Sequence, residues 1–84
     1  MTEIIAPAVN INGTSRKELL RQCIEARAAV IAAFKALQGF SPHGRDYQTL
    51  SPDVYRAARH QHNTWLGQLD DMANALEEIG IQLL

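Results

Sequence analysis

The stretch at residues 51–80, SPDVYRAARHQHNTWLGQLDDMANALEEIG, decides the fold class of this chain. Its apolar and small residues alternate at spacings of three and four, the heptad pattern of a helix that packs along one seam. Ser51 and Pro52 supply an N-cap and a first helical residue, and Gly80 supplies a stop, so we predict a helix over residues 52–79. The predicted seam consists of Tyr55, Ala58, His62, Trp65, Leu69, Met72, Leu76 and Ile79.

A second amphipathic helix is predicted earlier in the chain, over residues 16–38. Ser15 and Glu18 have the spacing of a capping box, in which each side chain accepts a hydrogen bond from a free backbone N–H. Gly39 is a typical residue at the end of a helix. The apolar face is wide, with alanines and isoleucines on its flanks, so we expect it to need more than one neighbour. Its central stripe is Leu20, Cys23, Arg27, Val30, Phe34 and Leu37, flanked by Leu19, Ala26 and Ala33 on one side and by Ile24 and Ile31 on the other.

These elements predict a single all-α domain, an antiparallel two-helix hairpin with an extended N-terminal arm at residues 1–14 and a loop at residues 39–51. The apolar residues of the arm, with a short extended segment at residues 9–11, are expected to lie across the helices or a neighbouring subunit. We expect Leu37 to lie opposite Tyr55 in the hairpin. A chain of 84 residues buries only about 60% of its unfolded surface, so we also predict that it forms homo-oligomers.

The net charge, the apolar runs and the cysteine content limit which partners and which cellular compartment we expect for this protein. The net charge of −1 gives no reason to expect DNA as a partner, and no apolar run approaches the ~20 residues of a membrane span. Cys23 is the single cysteine, which excludes an intramolecular disulfide. The first residues lack the features of a signal peptide, so we expect a cytoplasmic protein. We expect no cofactor, and no metal site, because there is no second thiol and His60 and His62 lie on different helix faces.

Three polar or reactive residues lie on the predicted apolar faces. Arg27 either points its guanidinium at a ligand anion or, as the favoured interpretation, stacks on Trp65 or pairs with an acid such as Asp70. His62 is expected to be a packed, hydrogen-bonded seam residue. Cys23 is expected to act as a small buried hydrophobe, because a catalytic thiol needs a partly exposed, electropositive setting.

The loop carries the densest group of functional side chains, HGRDY at residues 43–47. Arginine and histidine can contact phosphate, tyrosine can stack on a base, and aspartate can accept from a hydroxyl or an amide. An equally good interpretation is a loop held by its own hydrogen bonds. The candidate binding residues at this end are His43, Gly44, Arg45, Asp46, Tyr47, Arg59 and His60.

The start of the first helix is a second candidate, since free N–H groups and the helix dipole favour anions. A plain N-cap with a turn is the favoured alternative. About 22 helical residues separate this start from the loop, roughly 33 Å, so both could serve one small ligand only across a subunit interface. The candidate residues at the start are Asn12, Thr14, Ser15 and Arg16.

The sequence has NGTS at residues 12–15, PHGRDY at residues 42–47, and Ala58 followed by His62. In these motifs it resembles a group of small, uncharacterised proteins of tailed phages and prophages. The shared pattern is an NGTS helix start, an alanine-rich helix, a P-N-G-R-D-Y loop and a second helix containing Ala-x-x-x-His. Here NGTS occupies residues 12–15, His43 replaces the usual asparagine of the loop, and Ala58 with His62 supplies the last element. The resemblance covers about residues 10–65 and implies a phage origin and therefore a host-cytoplasm location.

Size and expected architecture are also similar to those of phage oligomers that sequester host nucleotide signals, although this is an analogy. We therefore expect a non-enzymatic anti-defence protein that binds a small phosphate-bearing nucleotide at a subunit interface. The alternative is a protein–protein inhibitor or adaptor, such as an anti-CRISPR-like protein or a virion assembly factor. An enzyme is disfavoured because no nucleophile has a credible base and orienting group. The sequence specifies neither the ligand nor the oligomer order.

Overall fold

A computed structural model describes residues 3–84, which form two long helices and no strand. Helix α1 spans Arg16–Gly39, a short 3-10 turn spans Gly44–Tyr47, and helix α2 spans Pro52–Gln82. The two helices pack against each other in an antiparallel hairpin that measures 61 × 23 × 17 Å. This arrangement confirms the predicted all-α hairpin.

The start of α1 is capped as predicted, but only on one side of the capping box. The hydroxyl of Ser15 accepts a hydrogen bond from the backbone N–H of Glu18 at 3.2 Å. The carboxylate of Glu18 turns away from the cap, because Arg21 and Gln22 both donate to it. The hydrogen bond from Arg21, followed by that from Gln22, lowers the pKa of Glu18, and the same contact raises the pKa of Arg21.

Helix α2 does not end where the sequence predicted. It passes through Gly80 and ends at Gln82, three residues beyond the predicted boundary at Ile79. Gly80 is a packing residue there, since a Cβ atom added to it would lie 3.7 Å from the Sγ of Cys23 in α1. The extra turn brings Leu83 into a covered position, with 3% of its surface exposed. The other apolar residues of this end, Ile81 and Leu84, are exposed.

The register of the hairpin also differs from the prediction. His62 Nε2 lies 2.7 Å from the carbonyl oxygen of Leu37, and the thiol of Cys23 donates to the carbonyl of Leu76 at 3.1 Å. Leu37 therefore lies opposite His62 and not opposite Tyr55, a displacement of seven residues, or about 10 Å. The loop packs on the first two turns of α2, so these turns extend beyond the end of α1.

Part of the α2 surface that faces α1 differs from the predicted seam. Trp65 and Met72 were expected in the seam, but 48% and 50% of their surfaces are exposed. Leu66 and Ala73 occupy the corresponding inward positions, and Ala73 is 8% exposed. Small residues at Ala73 and Gly80 let the two backbones come close, which is the physical reason that the larger side chains lie outside the seam.

The hairpin buries few of its residues. Among residues 3–84, His62, Ala73 and Leu83 are buried, and no large side chain is fully enclosed. The predicted stripe of α1 is half-buried throughout, whereas one of its flanking residues, Ile24, remains 59% exposed. Two helices alone therefore leave much of their apolar surface in contact with solvent.

The described part of the N-terminal arm, residues 3–14, contains neither helix nor strand. Ile4 is half-buried, but Ile5 is exposed, so the arm is covered only in part. The predicted extended segment at residues 9–11 is wrong at Ile11, which lies in a turn and is 97% exposed. That turn is closed by a hydrogen bond from Gly13 N–H to the carbonyl of Asn10. Residues 1–2 of the predicted arm lie outside the described residues.

Candidate ligand-binding groove at the loop end

The loop between the helices is ordered by its own backbone and by one aromatic contact. Asp46 N–H donates to the carbonyl of His43, and Leu50 N–H donates to the carbonyl of Tyr47, each at 3.0 Å. The ring of Tyr47 packs on Tyr55 of α2, with 5.6 Å between the centroids and 44° between the planes. The loop therefore has a clear structural role, and half-buried Tyr47 uses part of its ring surface for that role.

An open groove of about 550 Å³ lies where the loop leaves α1 and returns over α2. The guanidinium carbon of Arg59 lies 5.8 Å from the centroid of Tyr55, a distance typical of a cation–π contact. Amide and hydroxyl side chains surround this pair, so the groove combines a cation, an aromatic ring and neutral hydrogen-bonding groups. Its lining residues are Gln38, Ser41, Pro42, Tyr55, Arg59, His62, Asn63 and Leu66.

A smaller depression of about 410 Å³ shares Ser41 and Pro42 with the groove. It is also lined by Phe40, Asp46 and Tyr47. Phe40 is 79% exposed and could cover a flat ligand ring. Of the predicted loop residues, Asp46 and Tyr47 thus line a cavity directly.

Positive charge at this end is largely free of acidic partners. Arg56 pairs with Asp53 one turn away in α2. Arg45, Arg59 and Lys35 make no ion pair within residues 3–84. A groove with unpaired guanidinium groups nearby is suited to an anionic ligand, because arginine can donate two parallel hydrogen bonds to phosphate or carboxylate.

The remaining predicted loop-end residues take different positions. His43 precedes the 3-10 turn as its exposed N-cap, and a Cβ atom added to Gly44 would lie 3.9 Å from the ring of Tyr55. Arg45 is exposed on the turn. His60 is exposed on α2 and does not line either cavity.

The predicted residues at the helix start lie at the opposite end of the hairpin. Ser15 caps α1, and Asn12 N–H donates to the side chain of Asn10 at 3.0 Å. These contacts explain the turn and the cap without a ligand. Thr14 and Arg16 are exposed beside them. Because the 24-residue α1 is about 36 Å long, one protomer does not bring Arg16 and Arg45 to the same ligand.

His62 and Cys23 make contacts between the helices. His62 is 6% exposed and hydrogen-bonded, which confirms its predicted place in the seam. Cys23 is half-buried, and its thiol faces a carbonyl of α2. No cluster of three or more His, Cys, Asp or Glu side chains with metal-binding geometry occurs within residues 3–84.

Arg27 lies between the helices but meets a different acid from the one suggested by the sequence. Its Nη2 is 3.8 Å from a carboxylate oxygen of Glu77, and neither Trp65 nor Asp70 is its ion-pair or stacking partner within residues 3–84. The Nε atom is buried and has no hydrogen-bond partner within the same part of the chain. Asp70 lies nearby, in the lining of a small cavity of about 250 Å³ that also includes Arg27.

Replacing Arg27 with methionine is expected to raise the free energy of unfolding by about 1 kcal/mol, because a buried donor without a partner costs roughly 1–3 kcal/mol. The lost ion pair is long and partly exposed, so its contribution is about 0–1 kcal/mol. Urea denaturation at fixed protein concentration measures the change. Lys35→Met, at an exposed position without an ion pair, is the control and should stay within about 0.5 kcal/mol. A loss of stability in Arg27→Met larger than in the control contradicts this account.

Comparison with known proteins adds no relative: no protein-family model, no curated protein and no solved structure matches the chain. Neither α1 nor α2 has the length and apolarity needed to cross a membrane. The candidate site therefore rests on the geometry of the described residues.

Of the eight residues that line the groove, the sequence had indicated only Arg59 as a candidate binding residue. Gln38, Ser41, Tyr55 and Asn63 are ordinary helix or loop residues in the sequence, and Tyr55 was assigned to the seam. Their common position depends on the loop packing onto the first turns of α2. The available sequence signal was the unusual length of the loop, since long connections in compact domains often line binding sites.

Proposed function

We propose that this protein is a non-enzymatic binding protein that sequesters a small phosphate-bearing nucleotide in the groove beside the loop. The observation that carries this proposal is the Arg59–Tyr55 pair, which places an unpaired cation and an aromatic ring in one open groove. The volume of about 550 Å³ lies within the range of roughly 300–1,000 Å³ that is usual for small-molecule sites.

Each part of the nucleotide has a suitable group in or near the groove. Arg59 and Arg45 would hold phosphate through charge-assisted hydrogen bonds. Tyr47 or Tyr55 would contact the base through the ring surface that their mutual packing leaves free. The amide of Asn63 would donate to, or accept from, base edges or sugar hydroxyls.

The helix start of a neighbouring subunit would complete this site. Arg16 and Thr14 are too far from the groove within one protomer, so they can add phosphate contacts only in an assembly. The resemblance to small phage proteins supports a phage origin and a place in the host cytoplasm. The analogy with phage oligomers that sequester host nucleotide signals suggests the use against host defence, where sequestration of a signalling nucleotide would prevent its action.

Calorimetry with a panel of cyclic dinucleotides, cyclic trinucleotides and cyclic ADP-ribose species tests the proposal. At least one of these ligands should bind to the wild-type protein, and Arg59→Met should weaken that binding by about 10- to 100-fold. The control is Arg56→Met, which removes an arginine one turn away that already pairs with Asp53. Its affinity should stay within about threefold. Absence of binding by every ligand, with an intact oligomer, contradicts the proposal.

A second candidate function is a protein–protein inhibitor or adaptor, for example an anti-CRISPR-like protein or a virion assembly factor. The exposed Trp65 and Met72 favour it, because aromatic residues and methionine are enriched in protein interfaces. A stoichiometric protein partner captured from host lysate, together with no nucleotide binding, would support this candidate over the first.

A further inference from the structure

One side of the hairpin carries no charged residue of either helix. Residues seven apart lie almost above one another on a helix, and we call such a set a column. On α2 this side consists of two columns. The inner column is Ala58, Trp65, Met72 and Ile79, and the outer column is Val54, Gln61, Gln68, Ala75 and Gln82. On α1 it consists of the columns Leu19, Ala26 and Ala33 and Gln22, Ala29 and Ala36. We call this surface the uncharged side.

The two sets of columns lie on the same side of the hairpin. Within each helix the inner column follows the seam by three residues, as Ala26 follows Cys23 and Trp65 follows His62. In an antiparallel pair of right-handed helices, flanks that are related to the seam in this way face the same direction. The opposite side carries charge, as shown by the pair between Arg27 and Glu77.

Much of the uncharged side is exposed, and its residues are apolar apart from four glutamines. Trp65 and Met72 are about half exposed, and Ala26, Ala29 and Ala33 are exposed along α1. Depletion of charge together with exposed tryptophan and methionine is the compositional signal of an interface centre. Residues scattered singly would not carry this meaning, but these columns continue over the length of both helices.

The exposed area is more than a stable dimer needs. The chain exposes 6623 Å², whereas a compact monomer of 9.3 kDa exposes about 5,000 Å². The excess is about 1,600 Å², twice the roughly 800 Å² that each partner buries in an interface of standard size. A second hairpin packed on this side would give a four-helix bundle and cover about half of this excess.

We propose that the uncharged side binds a second copy of this chain, with the two α2 helices antiparallel across a two-fold axis near Gln68. In this register Trp65 packs against Met72 of the partner subunit, and Ala58 packs against Ile79 of the partner subunit. The pairing is self-complementary, as a two-fold interface requires, and it combines a small residue with a large one.

Charge selects the antiparallel orientation. Residues 52–66 of α2 contain two arginines and one aspartate, whereas residues 67–82 contain four acidic residues and no basic one. Antiparallel packing brings the acidic half of each α2 to the basic half of its partner. Parallel packing would bring the two acidic halves together.

The same orientation places the start of α1 in one subunit at the end where the partner's loop lies. The dimer itself does not depend on the proposed nucleotide. The groove opens on the charged side of the hairpin, because Asn63 lies two seven-residue steps away from Glu77 on α2, so a site shared by Arg16 and a neighbour's groove would need a second interface between dimers. Mass measurements and calorimetry report on the two proposals separately.

Sedimentation equilibrium of the full chain tests the interface. We expect a species of twice 9.3 kDa, or a multiple of that dimer, at micromolar concentration. Trp65→Arg should raise the dimer dissociation constant by at least about 30-fold, the size expected for a tryptophan hot spot. Gly67→Arg adds the same charge on the opposite side, where a Cβ atom meets nothing within 4 Å, and should change the constant by less than about threefold.

Trp65 also provides an internal signal, because it is the single tryptophan of the chain. Its fluorescence should shift to longer wavelength on dilution, with the same midpoint as the loss of dimer mass. Circular dichroism at high concentration checks that Trp65→Arg still folds. If this variant does not fold, the dilution series of the wild-type protein decides the question.

Disulfide cross-linking tests the orientation. In a Cys23→Ala background, Gln68→Cys should form a covalent dimer on oxidation, since the two copies of this position meet at the two-fold axis. Gln61→Cys should not, because its two copies would lie about 22 Å apart along the helices. Cross-linking by both variants indicates parallel packing and overturns the proposed orientation. A chain that remains monomeric overturns the dimer, and a different protein held on the uncharged side would then be its occupant.

Discussion

Leu83→Ala is expected to lower the free energy of unfolding by about 2–4 kcal/mol, the usual cost of removing a buried leucine side chain. Leu83 is the least exposed residue in the described chain, at 3%, in a hairpin that buries very little else. It lies just after the final turn of α2, where its backbone N–H donates to the carbonyls of Ile79 and Gly80. Loss of its side chain should therefore loosen the open end of the hairpin.

The neighbouring residue provides a matched control. Leu84 has the same side chain but is 82% exposed, so Leu84→Ala should change the free energy of unfolding by less than about 0.5 kcal/mol. Urea denaturation followed by circular dichroism measures both variants. They must be compared at one protein concentration, because self-association stabilises the folded state by mass action. Equal effects of the two substitutions would show that the C-terminal turn does not pack as described.

His62→Ala is expected to lower the free energy of unfolding by about 2–3 kcal/mol. The imidazole is 6% exposed and fills the space between the helices, so its removal leaves a cavity in an already thin core. It also removes the hydrogen bond from Nε2 to the carbonyl of Leu37. That carbonyl still accepts from Phe40 N–H at 3.1 Å, which limits the cost of losing the imidazole.

Two further variants separate packing from hydrogen bonding at this position. His62→Leu keeps most of the volume and should cost only about 1 kcal/mol, the net value of a typical hydrogen bond. His60→Ala removes an exposed imidazole one half-turn away and should have an effect below about 0.5 kcal/mol. Thermal and urea denaturation measure the series. If His60→Ala were as destabilising as His62→Ala, His62 would not be the histidine that joins the helices.

The sequence allowed the helices themselves to be predicted because their signals are local. Ser15 does accept the N–H of Glu18, and Pro52 is the first residue of α2. The central stripe of α1 is half-buried as its spacing indicated. Local caps and a 3.6-residue period depend on neighbours in the chain, so they are visible without the tertiary structure.

The register of the hairpin and the seam of α2 could not be predicted in the same way, because they depend on which part of α2 packs against α1 and which part packs against the loop. The loop occupies the first turns of α2, and the pattern of either helix alone does not reveal this. Ala73 and Gly80 were passed over in favour of larger apolar residues, although close contact of the helices needs small ones. The candidate groove was missed for the same reason, since Gln38 and Asn63 share a surface only after the loop has packed.

The unequal lengths of the helices have a consequence for the shape of the molecule. α2 has 31 residues and α1 has 24, so one helix exceeds the other by seven residues, two full turns. Two helices of equal length would end at the same level. Here α1 ends two turns short of the start of α2, and the loop fills only part of the space that this leaves. The groove at this end therefore results from the difference in length between the two helices and not from a special backbone conformation. Adding or removing one heptad in α1 would resize the recess while keeping every seam residue of the remaining hairpin in phase.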